Sequence, residues 1–133
     1  MEKAELRKRL FLLIILFDML VLLGVCLWFE FTHHPFMHWL DDLVYDNYNH
    51  YLPCDDLPAI DEVNEAVQAN RGILEQIDQL APAGIVGWQV EEPCPGRGDI
   101  LFWYGSHDQR NQVEALIGSE ESFFGIPIRM RNQ

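Results

Sequence analysis

The chain has 133 residues, a length that leaves room for one small domain besides any membrane segment. Its formal net charge is −12. From Thr32 onward, 17 acidic residues accompany only five arginines, so the acidity belongs to that part of the chain. This balance argues against nucleic acid and anionic lipid headgroups as partners, because both favour Lys and Arg.

The first predicted element is a membrane-spanning helix. Residues Leu10 to Phe29 are apolar except for Asp18, and about 20 such residues suffice to cross a bilayer. A cleaved signal peptide has a shorter apolar core and a small-residue cleavage site. We therefore predict a basic cytoplasmic segment at residues 1–9 and a retained transmembrane signal-anchor helix at residues 10–31.

A lipoprotein signal is the alternative interpretation of the same run. Leu23-Gly24-Val25-Cys26 resembles a bacterial lipoprotein processing site, in which the cysteine becomes the lipidated N-terminus. The sequence departs from that pattern at Val25, where a small residue is expected, and Asp18 is unfavourable in such a signal. The signal-anchor helix is the preferred interpretation.

The distribution of basic residues predicts the orientation of the span. Four of them precede the apolar run, at Lys3, Arg7, Lys8 and Arg9, and the next is Arg71. Cytoplasmic flanks are enriched in Lys and Arg. We therefore expect an inner-membrane or plasma-membrane protein with a cytoplasmic N-terminus and a periplasmic, lumenal or extracellular C-terminal domain.

Asp18 is the residue of this helix that requires an explanation. An ionised Asp at the centre of a membrane helix costs roughly 2.5–3.5 kcal/mol on insertion scales. A polar or basic group on a neighbouring helix would compensate for that cost. The competing interpretations are a neutral, protonated side chain in a lone helix and a proton relay. We predict an intramembrane partner contact at Asp18.

Residues 32–58 are predicted to form an interfacial amphipathic helix and a linker. The helix begins at Pro35, and the linker covers Leu52 to Pro58. The apolar stripe of the helix contains Phe36, Trp39, Leu40, Leu43, Val44 and Tyr51. Its opposite face is acidic and would be repelled by anionic headgroups. We therefore expect the helix to pack against protein, either the exterior domain or a partner.

Histidines near this helix are the only candidate metal ligands in the sequence. They are His33, His34 and His38, with His50 further along. Imidazoles four residues apart on a helix can bind zinc or copper, but Pro35 separates His34 from His38 and disrupts that spacing. Solvated polar residues are the favoured interpretation, and metal or pigment binding is the alternative. The sequence identifies no cofactor.

Residues 59–133 are predicted to form the exterior domain. One narrow apolar seam predicts its first helix, with members Ile60, Val63, Val67, Asn70, Leu74, Ile77 and Ala81. A coiled-coil partner would explain this seam, but docking onto the sheet that follows is the simpler explanation.

The rest of the domain is predicted as a hairpin, a helix and a last strand. The hairpin strands are 85–90 and 100–104, and Ser106 opens a helix that buries Val113, Leu116 and Ile117. The last strand runs from Phe124 to Met130, with Pro127 at an edge or at the start of the strand.

The expected fold is therefore a single transmembrane α-helix followed by a small α+β domain. The order helix-strand-strand-helix-strand predicts a three-stranded sheet, with the last two strands parallel across the intervening helix. Its outline is similar to half of a ferredoxin-like fold. That comparison is architectural and implies no function.

The cysteines predict one disulfide. Cys26 lies in the membrane run, so Cys54 and Cys94 are left to pair in an oxidising exterior compartment. Two unpaired thiols are the alternative.

No catalytic motif is present, since the sequence has no phosphate loop, nucleophile elbow or metalloprotease signature. The leading hypothesis is a non-catalytic, single-pass subunit or assembly factor of a larger membrane complex. Its partners would be other membrane protein subunits, and residues 10–31 would contact the lipid bilayer. The alternative is a membrane-tethered exterior binding module, of inhibitor or immunity type, for a basic partner. A third hypothesis is a metal- or pigment-binding membrane protein that uses His33, His34 and His38.

Overall fold

The computed structural model describes residues 2–82, 84–119 and 121–133. The chain forms two compact units, the residues up to Met37 and His38–Gln133, and each is described by itself.

The first unit is dominated by one long helix, α1, Glu2–His33. Within it, Arg7–His33 is long and apolar enough to cross a membrane, with a mean hydropathy of 3.0 over its most apolar window. The apolar side chains from Leu10 to Phe31 are all exposed in the isolated chain. The protein therefore has an N-terminal helix with the length and composition of a membrane span. At its end, His34 adopts a left-handed φ of 50°.

A short helix, α2, Pro35–Trp39, follows and continues as a π-helical turn, Leu40–Val44. The prediction that this helix reaches Tyr51 was wrong. Helical structure ends at Tyr45, because Asp46 has a left-handed φ of 53° and turns the chain. Tyr51 lies in the irregular segment beyond it, which contains one 3₁₀ turn, Cys54–Asp56.

Four strands form one mixed sheet in the order β1-β2-β4-β3. They are β1, Gly87–Cys94; β2, Arg97–Tyr104; β3, Ser122–Phe123; and β4, Ile126–Asn132. The predicted hairpin is confirmed as the antiparallel pair β1–β2. Strands β2 and β4 are parallel, as predicted, and helix α5, His107–Ile117, lies between them in the chain.

The predicted three-stranded sheet was wrong, because the chain reverses once more before the last strand. Phe124 and Gly125 both have positive φ, 51° and 88°, as a two-residue hairpin turn of type I′ requires. Residues Ser122 and Phe123 therefore pair with Pro127 and Ile126 as a fourth strand. Strand β4 lies inside the sheet, so Pro127 occupies the start of its strand rather than an edge strand.

The predicted seam helix is two helices, α3, Ile60–Ala69, and α4, Arg71–Asp78. They separate at Asn70, whose side-chain amide donates to the carbonyl of Ala66 at 2.9 Å. Val63, Leu74 and Ile77 are fully buried in the core. The seam therefore docks on its own domain, and a coiled-coil partner is not needed to cover it.

Helices α3, α4 and α5 cover one face of the sheet, which forms the core. This inner face is made by alternate residues of the two central strands: Ile100, Phe102, Tyr104, Ile128 and Met130. Residues at the intervening positions, including Asp99, Leu101, Trp103 and Arg129, point to the outer face. Helix α5 begins at Ser106, whose hydroxyl accepts from the backbone N–H of Gln109, as predicted for a cap.

Gly98 allows α3 to approach the sheet closely. A Cβ added there would lie 2.6 Å from Ile60 Cδ1 and 2.9 Å from the carbonyl oxygen of Glu91. We expect Gly98→Ala to lower the free energy of unfolding by about 1–3 kcal/mol, because α3 must shift away from the hairpin. Near-UV circular dichroism of the full chain in mild detergent, followed through urea denaturation, measures the change.

Gly72 is the matched control, since nothing lies within 4 Å of a Cβ added on α4. Gly72→Ala should leave stability unchanged or raise it by up to about 1 kcal/mol. Equal losses in the two variants would show that the close contact at Gly98 does not matter.

Candidate functional site

Residues 38–58, here called the arm, connect α1 to the domain and lie along the sheet. Tyr48 pairs with β4 on the same side as β3 but further along the strand. It exchanges two backbone hydrogen bonds with Met130, at 2.9 and 2.8 Å. Next to it, the backbone N–H of Asn132 donates to Asn47 Oδ1 at 2.7 Å. The segment predicted as a helix and linker is therefore part of the domain.

Arg110 of α5 is the centre of a first ionic cluster, which joins α5 to the arm. Its side chain is only 7% exposed and contacts three carboxylates, at 2.7 Å to Asp42, 2.9 Å to Asp46 and 2.7 Å to Glu114. Burial alone would lower the pKa of Arg110, but hydrogen bonds to these carboxylates outweigh burial and raise it. The guanidinium is therefore charged and holds two arm residues against α5.

Asp46 connects this cluster to the end of the sheet. Its carboxylate also contacts Nδ1 of His107 at 2.8 Å, and its backbone carbonyl accepts the hydroxyl hydrogen of Tyr104. The hydrogen bond to Asp46 raises the pKa of His107, and burial raises the pKa of Tyr104. The left-handed turn at Asp46 thus places both its backbone and its side chain on the domain.

A second ionic cluster surrounds Asp99 of β2, whose side chain is fully buried. Arg129 of β4 donates to both carboxylate oxygens, at 2.6 and 2.8 Å, and also contacts Glu91 of β1. His50 of the arm lies 2.9 Å from Asp99 through Nε2. Burial opposes ionisation of Asp99, but the hydrogen bonds from His50 and Arg129 prevail and lower its pKa.

The geometry of His50 indicates a structural role for the His50–Asp99 pair. The backbone N–H of Leu52 donates to Nδ1 of His50 at 2.9 Å, so Nε2 carries the proton that is donated to Asp99. Both ring nitrogens are therefore occupied, and neither can accept a proton from a nucleophile. The cluster fastens the arm to the sheet.

The predicted disulfide joins the end of the arm to the end of β1. Cys54 and Cys94 are bonded, with their Cα atoms 5.8 Å apart, and Cys26 is a free cysteine on α1. Arg97 adds a hydrogen bond from its guanidinium to the carbonyl of Leu57, at 2.6 Å. The arm is thus attached at both ends and in its middle.

Asp18 lies in the middle of α1, in the first unit. The positions three and four residues away on the helix, which are its nearest neighbours, are Ile14, Ile15, Val21 and Leu22. None of these side chains can exchange a hydrogen bond with a carboxyl group. A side-chain hydrogen-bond partner for Asp18 must therefore come from outside these four neighbours.

Each candidate metal ligand has a local structural setting. His33 packs on Phe29 with ring centroids 4.9 Å apart, His34 occupies the turn after α1, and His38 packs edge-on against Tyr51 at 4.9 Å. Over the described ranges 2–82, 84–119 and 121–133, no three His, Cys, Asp or Glu side chains lie close enough to hold a metal ion.

Sequence reasoning missed the residues that form the two clusters. Arg110 shares the buried stripe of α5 with Val113 and Ile117, at helical spacing, and Asp99 stands at the start of an apolar strand. A charged residue at a core position requires a buried partner, so these positions carried a signal. The identity of the partners, Asp42, Asp46 and His50, was not readable, because they lie about 50 or more residues away.

Comparison with known proteins gives no match for this chain among protein families, curated proteins or solved structures.

We expect Arg110→Met to lower the free energy of unfolding by about 3 kcal/mol, because it leaves partly buried carboxylates without a cation. Chemical denaturation of the full chain in mild detergent measures the loss. Arg71→Met is the matched control, since the Arg71–Glu75 pair is exposed on both sides and should contribute less than about 0.5 kcal/mol. A loss of similar size in both variants would mean that burial of Arg110 is unimportant.

Breaking the disulfide should lower stability by roughly 4 kcal/mol, since it closes a loop with a sequence separation of 40. The measurement is denaturation of the full chain with and without reductant, and of Cys94→Ser without reductant. Cys26→Ser, which removes the free cysteine, should change neither the midpoint nor its response to reductant. If reductant leaves the wild-type midpoint unchanged, the bond contributes nothing to stability.

Proposed function

We propose that this protein is a non-catalytic, single-pass subunit or assembly factor of a larger membrane complex. The observation that carries the proposal is Asp18, a carboxyl group in the middle of an apolar helix, whose neighbours three and four residues away are all aliphatic. The carboxyl group needs a hydrogen-bond partner to offset its cost in hydrocarbon, and a polar side chain on a helix of another subunit would provide one.

The exterior location of the domain belongs to this proposal and is supported by two observations. The basic residues of the N-terminal segment predict that it stays in the cytoplasm. The bond between Cys54 and Cys94 is typical of proteins folded in an oxidising compartment. Both observations favour a domain on the non-cytoplasmic side of an inner or plasma membrane.

A non-catalytic role is supported by the use of the ionisable groups in the domain. The two clusters that bury Arg110 and Asp99 are closed by mutual ion pairs and by hydrogen bonds to the arm. Such contacts hold a connecting segment in place, as a scaffold or adaptor requires. They also make the domain and the arm one compact unit.

Loss of Asp18 should release the membrane partner. We expect Asp18→Leu to weaken co-purification of the partner about 3- to 30-fold, because one interhelical hydrogen bond contributes roughly 0.6–2 kcal/mol. The tagged chain is purified in mild detergent, and its partners are identified and quantified by mass spectrometry. Asp18→Asn should retain much of the partner, since the amide still forms hydrogen bonds.

A relocated carboxylate is the matched control. The double variant Asp18→Leu with Leu20→Asp keeps the composition of the helix but moves the carboxyl group about 200° around its axis. It should lose the partner as Asp18→Leu does. A clean monomer in the wild type, or a partner retained equally by all variants, would contradict the proposal.

The second candidate function is an exterior binding module for a basic partner, and one surface favours it. Residues 55–65 carry five exposed acidic side chains: Asp55, Asp56, Asp61, Glu62 and Glu65. Within the described ranges, no Lys, Arg or His forms an ion pair with any of them. A partner retained in Asp18→Leu but lost in the triple variant Asp61→Asn, Glu62→Gln, Glu65→Gln would favour this function.

A further inference from the structure

The first part of the arm is a short helical segment whose polar side chains have partners in the folded unit. Asp42 pairs with Arg110 of α5 at 2.7 Å, and Asp41 accepts the hydroxyl hydrogen of Tyr51. His38 packs edge-on against the Tyr51 ring. One carboxylate is therefore bound to α5 and the other to a later residue of the arm.

The same segment also exposes large apolar side chains. We define the apolar patch as Trp39, Leu43, Val44 and Tyr45, whose side chains are 52–68% exposed. A surface helix normally buries its apolar stripe on the core. This segment instead leaves four large apolar side chains exposed within seven residues, a surface typical of an interaction site.

We propose that the apolar patch inserts into the boundary between headgroups and acyl chains of the bilayer that α1 crosses. The patch begins six residues after His33, the last residue of α1, and six residues span at most about 21 Å. The chain therefore limits the distance between the start of the patch and the end of α1 to about 21 Å. Trp and Tyr flanking aliphatic residues are typical of this boundary.

The charges of the segment decide which headgroups it can approach. From sequence, its acidic face should be repelled by anionic headgroups. In the structure, Arg110 is one cation shared by Asp42, Asp46 and Glu114. It offsets part of the negative charge and leaves the cluster acidic, so the segment suits zwitterionic rather than anionic headgroups. The inserted patch would fix the domain at the membrane surface through a second attachment besides α1.

This inference rests on the membrane span of the proposed function but not on a partner for Asp18. The test uses the full chain in a Cys26→Ser background, reconstituted alone into phosphatidylcholine vesicles. A nitroxide label is attached at Val44→Cys, and its collision rates are measured with oxygen, which enters lipid, and with a nickel chelate, which stays in water. Labels at Gln112→Cys, exposed on α5, and Leu16→Cys, on α1, are the water and lipid references.

We expect the oxygen-to-nickel collision ratio at residue 44 to exceed that at residue 112 several-fold and to stay below that at residue 16. Replacing the neighbours, Leu43→Gln with Tyr45→Gln, should lower the ratio at residue 44 toward that at residue 112. Ile85→Gln is the matched control, because Ile85 is an exposed apolar residue outside the patch, and it should change nothing. Resistance of the Cys54–Cys94 bond to a mild thiol reductant, compared with the wild type, checks that each variant is folded.

Equal ratios at residues 44 and 112, with a lipid-like ratio at residue 16, would overturn the inference and leave the span intact. A water-like ratio at residue 16 would instead overturn the span and the proposed function with it. Spectral broadening at residue 44 that disappears when labelled chain is diluted with unlabelled chain would identify a second copy as the occupant. That result would also overturn the inference.

Discussion

The ion pairs between Arg110 and the carboxylates of Asp42 and Asp46 are the contact on which the organisation of the domain depends. They join the segment after α1 to the last helix, across more than sixty residues of chain. A guanidinium can contact several carboxylates at once in a fixed planar geometry. One buried cation therefore holds two residues of the arm, Asp42 and Asp46, against the last helix.

The scarcity of cations in this chain gives the arrangement its meaning. Only five arginines accompany 17 acidic residues from Thr32 onward, and three of the five act on the arm. Arg110 contacts it directly, Arg97 donates to the carbonyl of Leu57, and Arg129 completes the cluster in which Asp99 holds His50. The positive charge of the domain thus lies largely at its attachment to the arm, while the surface of α3 stays acidic.

Much of the fold was predictable because its signals are local. The hairpin followed from two apolar runs flanking Pro95-Gly96, and helix α5 from Ser106 and the spacing of Val113 and Ile117. One error arose where a distant contact prevailed over local preference, since helical structure ended at Tyr45 and Asp46 turns toward Arg110. The seam helix broke at Asn70, whose side chain bonds locally to the carbonyl of Ala66. The fourth strand depended on the positive φ of Phe124. An aromatic residue rarely adopts this conformation, so nothing in the sequence predicted a turn there.

The sequence by itself determined that the chain carries an N-terminal helix able to span a membrane, with one carboxyl group at its centre. Length and hydropathy along a single segment decide that property, and no other part of the chain enters into it. It also singled out Cys54 and Cys94 as the two cysteines that could pair, since Cys26 lies in the apolar run, and the structure shows the bond. Only the tertiary structure decided where the arm is attached to the domain. The attachment depends on Arg110 and Asp99, because ionic contacts act over a few ångströms in space and do not depend on distance along the chain.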